Sequence, residues 1–400
     1  MTPAPSPAVA ITGLGVLTPL ADRPEALAAA LLEGRSAIAP AAELGGAGLS
    51  RMADDFDPAR YANIRGLRLY SRATKLGICA VRLALDDAKL DAAACPSEQL
   101  GTVTASTLGH VETLFEYDRS VVAAGPLRGN PALMPLALPS SPGAAVALSF
   151  VAKAFSMSLS DAGTSSLDAL GLGARLVAAG RARACVVVGT AALCADLSAA
   201  ASKAGLLAPA EAFRVLDRRR RGTALGEGAA AVVLERAEEA LARGARLRAI
   251  VAGQATAFAP GPADRAGALR RACGQALADA GLTPGEVALV SAGLSGGEGD
   301  RAEAVALLGL LGESAGRTPL LAPKASLGET LDAAGLLQAL AALAALSSGK
   351  APPIPRLEDP DPPGLCTPRT AAPVAGAHAL VTATAHTGGC AALVLTVPHG

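Results

Sequence analysis

The sequence predicts an α/β fold built from two similar halves. Three observations lead to this fold class. Short apolar runs typical of strands alternate with helix-like segments along the 400 residues, and the alternation begins again near residue 250. The composition agrees, because 51% of the residues are hydrophobic while only 2% are aromatic and none is Trp. A core of Ala, Val and Leu suits close packing of helices on a sheet.

The first half is predicted to alternate between strands and helices. Its predicted elements are a strand at 9–13, helices at 24–32 and 73–88, and strands at 101–106 and 185–189. The last strand follows a helix that carries Leu170, Ala174 and Val177 on one face and ends at Gly180. A strand, a helix and a strand joined by short connections predict a right-handed parallel crossover.

Residues 155–172, FSMSLSDAGTSSLDALGL, are predicted to form a buried strand that turns sharply into a helix. Such a turn presents its apex at a helix N-terminus, where a thiol has a lowered pKa and an oxyanion finds N–H donors. The apex here is Gly163, which offers no nucleophile. Ser165 and Asp168, three residues apart, are predicted to form a capping box. Taken alone, Gly163 is better explained as the tight-turn glycine of an ordinary strand–helix junction, since only glycine takes positive φ without strain.

The second half repeats the pattern and suggests a division of the chain into 1–250 and 251–400. After a strand at 229–234, the pattern begins again with strands at 248–253 and 287–291 and helices at 264–280, 301–311 and 331–346. Two closing strands follow at 379–383 and 391–397. The stretch KAPPIPRLEDPDPPG at 350–364 is predicted to be an extended surface connection, because proline fixes φ and cannot donate to a ladder.

Charge and cysteine usage exclude several classes of function. Lys and Arg number 35, as do Asp and Glu, so the formal charge is zero and no global field attracts nucleic acid or an anionic membrane. The seven Cys residues are scattered without CxxC or His-rich spacing, which predicts reduced thiols, a cytoplasmic protein and no metal site. Gly13 and Gly15 lack the third glycine of a dinucleotide fingerprint, so we expect no cofactor.

Helix 336–346 is the most apolar helix candidate. It has about half of the roughly 20 residues needed to span a bilayer. We therefore expect it to lie in the core of the protein and not in a membrane.

Five specific stretches stand out along the chain. They are VAITGLGVLTPL from Val9, RVLDRRRRGTALGEGAAAVVLERAEEALARGA from Arg214, GDRAEAVAL from Gly299, PKASLGETLDAAG from Pro323 and PPIPRLEDPDP from Pro352. In this order, from end to end, they resemble the elongating β-ketoacyl-acyl-carrier-protein synthases, the condensing enzymes of the thiolase superfamily. The resemblance implies a thiolase fold with five layers, α-β-α-β-α, and two pseudo-repeated halves.

The resemblance also implies which positions carry the family's chemistry. In the family an elbow Cys takes the acyl chain, two His residues help decarboxylate the malonyl-carrier and stabilise the oxyanion, and a Lys fixes part of that network. The Cys position here is Gly163, and the two His positions are Ala292 and Glu329. Only Lys324 is retained. The family's GFGG loop reads TAHTGGC at 384–390.

These losses imply the catalytically silent subunit of a ketosynthase heterodimer, the chain length factor of type II polyketide synthases. Such a subunit completes the acyl tunnel of an active ketosynthase and limits chain length during decarboxylative Claisen condensation. It meets the acyl carrier protein through the complex. Chain length factors of aromatic pathways usually carry Gln at the elbow, so Gly163 leaves polyene and other reduced-chain pathways open.

Helix 108–121 aligns with the family's dimer-interface helix, which closes the tunnel in chain length factors. Val111, Leu114 and Phe115 are three and four residues apart and share one face, and Leu133 lies in the matching loop. These four are the predicted chain-length residues, because a packed interior excludes further methylenes. Ordinary interface packing is the alternative for each of them.

Two other functions stay open at this point. A carboxylate in an apolar cleft can have a raised pKa, so Glu329 with Lys324, or Glu298, could support residual malonyl-carrier decarboxylation or hydrolysis. The chain could instead be a homodimeric pseudoenzyme that binds acyl groups or carriers.

Arg214 and residues 218–221 form the densest basic run of the chain. A nucleic-acid interface would combine such a run with interleaved aromatic residues and a basic domain, and both are missing. We expect ion pairs with Asp217 and Glu227. Docking of an acidic carrier protein is the weaker alternative.

Overall fold

One ten-stranded sheet joins both halves of the chain in the computed structural model, which describes residues 7–91 and 94–398. Two small sheets of two and three strands accompany it. The strands are β1 (Val9–Leu17), β2 (Ala39–Ala41), β3 (Ala47–Ser50), β4 (Leu100–Ala105), β5 (Phe155–Leu159), β6 (Ala184–Ala191), β7 (Leu225–Gly226), β8 (Gly228–Arg236), β9 (Ala249–Phe258), β10 (Leu289–Ser291), β11 (Leu320–Leu321), β12 (Lys350–Ala351), β13 (Ala372–Pro373), β14 (His378–Thr384) and β15 (Gly389–Thr396).

The two halves of the large sheet have the same strand arrangement. The first half runs β5-β4-β6-β8-β1, with parallel pairing among the first three strands and antiparallel pairing after them. The second half runs β11-β10-β14-β15-β9 with the same succession of parallel and antiparallel pairs. A short antiparallel contact between β1 and β9 joins the halves. The predicted pseudo-repeat of the α/β fold is thereby confirmed.

Helices cover the sheet halves and separate them. They are α1 (Pro24–Leu32), α2 (Arg72–Asp87), α3 (Val111–Ala124), α4 (Met134–Ala137), α5 (Ser141–Ser149), α6 (Ser165–Ala178), α7 (Ala195–Lys203), α8 (Ala237–Ala242), α9 (Arg265–Asp279), α10 (Gly299–Leu311), α11 (Lys324–Leu327) and α12 (Ala334–Ser348). Helices α2 and α5 pack outside the first half, α6 and α12 pack between the halves, and α9 and α10 pack outside the second. These are the five layers of a thiolase fold.

Small residues allow the layers to approach closely. A Cβ at Gly13 would lie 2.1 Å from the carbonyl oxygen of Ala84 in α2, and one at Gly15 would lie 2.0 Å from that of Ala80. These glycines of β1 therefore serve helix-on-sheet contact. The segment Leu331–Ser348 is long and apolar enough to cross a membrane, but 72% of it is buried inside the protein, as predicted for a core helix.

Strand β5 is not buried, contrary to the sequence-based prediction. Among the described residues it pairs only with β4, and it forms one edge of the large sheet. Ser156 and Met157 are exposed as a result. The apolar pattern of the segment could not show that one side of the strand has no neighbour within this chain.

The proline-rich segment 350–364 is not wholly at the surface, which corrects a second prediction. Ala351, Ile354 and Leu357 are buried. The side chain of Asp217 is also buried and accepts hydrogen bonds from the backbone N–H groups of Glu358 and Asp359, both at 2.9 Å. These contacts hold the segment against the body of the protein.

The basic run is largely neutralised by the proline-rich segment. Its arginines pair with carboxylates there and with Asp217; the pairs are Arg218–Asp359, Arg219–Asp217, Arg219–Glu358, Arg220–Asp361 and Arg214–Glu358. The predicted pairing with Asp217 is confirmed. The predicted pairing with Glu227 is wrong, because Glu227 is bound to Arg72 of α2 at 2.5 Å. This neutralisation also weakens the case for the run as a carrier-docking surface.

Candidate functional site

The positions singled out in the sequence lie at the ends of parallel strands. Ala292 directly follows β10, Lys324 begins α11 just after β11, and Thr384 ends β14. These three strands are parallel, so their carboxyl ends meet at one edge of the sheet, where open α/β proteins form sites. The turn after β5 contacts β14 and therefore joins this edge.

Glycine is required at position 163 because a side chain has no room there, and not because the backbone conformation demands it. It does not have a positive φ, whereas the preceding Ala162 has φ 47°. A Cβ at Gly163 would lie 2.6 Å from the carbonyl oxygen of Thr384 and 3.6 Å from Cα of Ala385. The tight-turn interpretation is therefore wrong. The carbonyl oxygen of Thr384 therefore leaves too little room for the first side-chain atom at position 163 unless the backbone shifts.

Ser165 fixes the turn at Gly163 by contacts other than a capping box, so that prediction is wrong. Thr164 is the N-cap residue of α6 and makes no side-chain capping bond. The Ser165 hydroxyl accepts a hydrogen bond from the Asp161 N–H at 2.8 Å and donates one to the Ala162 carbonyl at 2.9 Å. Asp168 contributes no cap, and burial raises its pKa to about 6.

Thr107 braces the same turn from the other side. Its hydroxyl accepts a hydrogen bond from the Ala162 N–H at 3.0 Å and donates one to Asp332 at 2.6 Å. The Thr107 N–H donates to the second Asp332 oxygen at 2.7 Å. The apex is thus held by a closed set of protein contacts.

Lys324 and Glu329 satisfy each other. The Lys324 ammonium lies 2.6 Å from Glu329 Oε2, and Glu329 Oε1 accepts the Leu331 N–H at 3.0 Å. The Lys324 side chain is only 5% exposed and that of Glu329 18%. Ala292 is fully buried and brings no polar side-chain atom. The positions predicted to match the family's histidines therefore provide an ion pair and a methyl group.

Glu303 of α10 is a buried carboxyl group at this edge that the sequence reasoning missed. It accepts hydrogen bonds from the Gly293 N–H at 2.8 Å and from the Thr382 hydroxyl at 2.6 Å. Burial raises its pKa to about 7, although these hydrogen bonds and the charge of Lys324 act to lower it. The stretch GDRAEAVAL holds two acidic residues, and the second, flanked by Ala on both sides, was the signal that could have found it.

No thiol has taken over the role of the missing nucleophile among the described residues. All seven Cys residues are free. Burial raises the pKa of Cys390 to about 11 and that of Cys79 to about 12, and it also raises the pKa of Cys194. Within residues 7–91 and 94–398, no three His, Cys, Asp or Glu side chains form a group that could hold a metal ion.

A partly open cavity of about 40 Å³ lies beside the turn, between α2 and α3; we call it the α2–α3 cavity. Its lining comprises residues 71–73, Ser106, residues 108–112 and 190–194, Leu331 and Asp332. Of the predicted chain-length residues, the structure places Val111 in this lining. Leu114 is exposed on α3, and Phe115 and Leu133 are half-buried. The chain-length role of all four stays a prediction.

The fold and the edge site together define a condensing-enzyme scaffold of the thiolase type. The family model of the beta-ketoacyl synthase N-terminal domain matches residues 6–240, and that of the C-terminal domain matches residues 245–358. The chain belongs to the β-ketoacyl synthase family.

Relatives and solved structures agree with this membership. The 3-oxoacyl-[acyl-carrier-protein] synthase 2 of Synechocystis sp. is 30% identical over 376 residues, which cover 88% of this chain and 89% of the relative. The tetracenomycin polyketide synthase ketoacyl synthase alpha subunit of Streptomyces glaucescens is 34% identical over 381 residues, 88% of either chain. The ishigamide ketosynthase/chain length factor structure matches with a TM-score of 0.90 and 27% identity, covering 99% of this chain and 100% of that one.

Proposed function

We propose that this chain is a chain length factor, a subunit that does not condense acyl groups itself but pairs with an active ketosynthase in the cytoplasm and limits the length of its polyketide product. One observation carries the proposal. The nucleophile position is Gly163, and the carbonyl oxygen of Thr384 lies 2.6 Å from where its Cβ would be. A family member with this backbone cannot form the acyl-enzyme on which condensation depends.

The free edge of the sheet supports pairing with another subunit. An unpaired edge strand with exposed side chains is usually covered in a folded protein. Strand β5 is such an edge and exposes Met157, and the segment that precedes it, from α3 to α5, exposes further apolar side chains; they are Leu114, Val122, Leu127, Met134, Leu136, Leu138 and Leu148. A patch of this kind marks a protein interface. The solved ishigamide ketosynthase/chain length factor, which this fold resembles, offers a precedent for the partner.

Residual decarboxylation or hydrolysis is the second candidate, and the contacts speak against it. A general base must be free to accept a proton from its substrate. Glu329 is bound by Lys324 and by the Leu331 N–H. The test is CO2 release from malonyl-carrier by the subunit alone. We expect none above the uncatalysed rate; release that disappears in Glu329→Gln would establish the second candidate.

The main test is reconstitution with a partner. The chain is co-expressed with an active ketosynthase that carries the family's Cys and both His residues, and the purified complex is supplied with malonyl-carrier. We expect a heterodimer that makes products of defined length. In Phe115→Ala we expect longer products, because removing the ring enlarges the end of the tunnel.

Phe258→Ala is the matched control. Phe258 is an exposed phenylalanine at the end of β9, outside the predicted tunnel. We expect its products to keep the wild-type length. Failure of the two chains to co-purify would refute the heterodimer, and equal product lengths in wild type and Phe115→Ala would refute the role of Phe115.

A further inference from the structure

The loop between β4 and α3, residues 106–110, connects the Gly163 turn to a helix that carries part of the proposed interface; we call it the β4–α3 loop. It directly precedes Val111, the first residue of α3. Leu114 and Val122 of α3 are exposed. Contacts that fix the β4–α3 loop therefore also fix the place and the direction in which α3 begins.

Asp332 holds the first end of this loop. Its Oδ1 accepts the Thr107 hydroxyl at 2.6 Å, and its Oδ2 accepts the Thr107 N–H at 2.7 Å. Two bonds to one residue fix the orientation of that residue as well as its position. The Thr107 hydroxyl in turn accepts the Ala162 N–H at 3.0 Å. Because Asp332 lies just before α12, the contact ties the β4–α3 loop to the helical layer between the two sheet halves.

Burying the Asp332 carboxylate costs free energy. Asp332 is 4% exposed, and burial raises its pKa, while the charge of Glu329 acts in the same direction. Within the described part of the chain, no Lys, Arg or His forms an ion pair with this carboxylate. A buried carboxylate without a cation is a poor source of stability compared with a well-packed apolar side chain. The stability of the fold alone therefore does not account for Asp332.

The backbone around the same contact is strained. Leu331, which directly precedes Asp332, has φ 46°, and Ala162 has φ 47°. Residues other than glycine persist in this left-handed region only where surrounding contacts hold them. Here Glu329 accepts the Leu331 N–H and Thr107 accepts the Ala162 N–H, both at 3.0 Å. Backbone strain and a buried charge thus converge at the point where the loop is anchored.

The other end of the β4–α3 loop is anchored to α2. Nε2 of His110 lies 2.5 Å from the Thr74 hydroxyl oxygen, and His110 is 4% exposed. Between the two anchors, Gly109 takes φ 56°, and a Cβ there would lie 2.7 Å from the Leu138 carbonyl oxygen. The loop is therefore held at three points, and Thr107 is the point at which it is tied to the second half of the chain.

We propose that Asp332 and Thr107 are positioning residues for the subunit interface: they hold the β4–α3 loop so that α3 presents its exposed face to the ketosynthase in a single orientation. The inference rests on the proposed function and names the contact that prepares its interface. A surface that is ordered before binding loses less conformational entropy when the partner arrives. Without this contact, α3 would have to be ordered at the moment of binding.

The first measurement uses the subunit alone and follows hydrogen–deuterium exchange in α3 by mass spectrometry. Thr107→Val keeps the shape of the side chain and removes the hydroxyl. We expect the α3 amides to exchange at least fivefold faster in this variant, while those of α9, outside the second sheet half, keep their wild-type rates. Thr107→Ser retains the hydroxyl and should exchange as the wild type does.

The second measurement is the Kd for an active ketosynthase, in a titration followed by analytical ultracentrifugation. We expect Thr107→Val to raise the Kd at least tenfold and Thr107→Ser to leave it within threefold of wild type. Asp332→Asn should also raise the Kd tenfold, because an amide accepts with one oxygen where the carboxylate accepts with two. Combining Thr107→Val with Asp332→Asn should raise the Kd little further, since both substitutions remove the same contact.

Thr12→Val is the matched control for a general loss of stability. The Thr12 hydroxyl also donates to a buried carboxylate at 2.6 Å, that of Glu235, but Thr12 lies in β1 at the centre of the large sheet. We expect Thr12→Val to lower the urea midpoint and to leave both the Kd and the exchange of α3 unchanged.

The two measurements separate this inference from the proposed function. If Thr107→Val leaves the exchange of α3 at the wild-type rate, or raises the Kd no more than Thr12→Val does, Asp332 and Thr107 do not position the interface and the inference is wrong. If the wild-type subunit binds no ketosynthase, the proposed function fails. In that case the exchange rates alone decide whether Thr107 fixes α3.

Discussion

At the scale of single residues, the lost chemistry is a matter of occupied space as much as of missing groups. Gly163 offers no nucleophile, and the carbonyl oxygen of Thr384 lies 2.6 Å from where a Cβ at this position would be. At Glu329 an imidazole position has become one half of an ion pair with Lys324. Both changes leave local contacts satisfied, so the region retains a packed structure without retaining a reactive one.

Restoring the cysteine alone should not restore acylation. Gly163→Cys places a Cβ against the Thr384 carbonyl oxygen, and relieving this overlap is expected to cost about 1–3 kcal/mol of the free energy of unfolding. We expect no covalent acyl adduct by intact-protein mass spectrometry after incubation with acyl-carrier. Gly163→Ala, which adds the same Cβ without a thiol, should lose equal stability. An acyl adduct on the introduced thiol of the first variant would contradict the steric argument.

Glu303 should make the stability of the protein depend on pH. Its pKa of about 7 in the folded protein exceeds its ordinary value of 4.5, so the folded state holds more protons than the unfolded state between these values. The free energy of unfolding should therefore fall as pH rises from 4.5 to 7, by on the order of 3 kcal/mol from this group. Urea unfolding across this range measures the slope, which Glu303→Gln should reduce.

Asp168 provides the matched control for that slope. Its pKa is also raised, from 3.8 to about 6, so we expect Asp168 to contribute to the slope between those two pH values and not above pH 6. Asp168→Asn should flatten the curve below pH 6 and leave the part between pH 6 and 7 unchanged. If Glu303→Gln leaves the slope between pH 6 and 7 as it is in wild type, Glu303 is not the group that titrates there.

At the scale of elements, the proposed function makes the edge strand β5 and the neighbouring helices the expected interface with the ketosynthase. A charge in the middle of an unpaired edge opposes the addition of another strand or subunit. We expect Met157→Glu to weaken binding of the ketosynthase at least tenfold in a titration followed by analytical ultracentrifugation. Leu241→Glu adds the same charge at an exposed leucine of α8 and should bind as wild type does. Equal affinity of both variants would place the interface elsewhere.

Much of the element structure could be predicted because it follows from local pattern. The helix at 24–32 has the predicted bounds, and the strands and the two-half rhythm lie where apolar periodicity placed them. The prediction of a capping box was wrong because Ser165 forms its hydrogen bonds in the turn before the helix, and periodicity carries no such information. The prediction that β5 is buried was wrong for a related reason, since the sequence of a strand does not say how many neighbours it has.

The site could be predicted only where a motif marked it. The motifs led to Gly163, Ala292, Glu329 and Lys324, which the structure brings to one edge region. The close approach of the Thr384 carbonyl to Gly163 could not be predicted from the sequence. More than half of the chain separates the two residues, and a backbone atom leaves no mark on the side-chain pattern.

At the scale of the whole molecule, stability and assembly should be coupled. A partner that binds only the folded state raises the free energy of unfolding by about 2.7 kcal/mol at one hundred times its Kd. We expect that gain when ketosynthase is added to this subunit, measured as a shift of the urea midpoint. Met157→Glu should show no gain at the same partner concentration. A gain of equal size in Met157→Glu would mean that the stabilising contact lies away from β5.

The carbonyl of Thr384 also bears on the history of the chain. A descendant that regained a thiol at position 163 would carry the steric penalty immediately, while any catalytic benefit would still await histidines at positions 292 and 329. Every single step back is therefore disadvantageous or neutral. The arrangement therefore opposes the stepwise gain of condensing chemistry at this position.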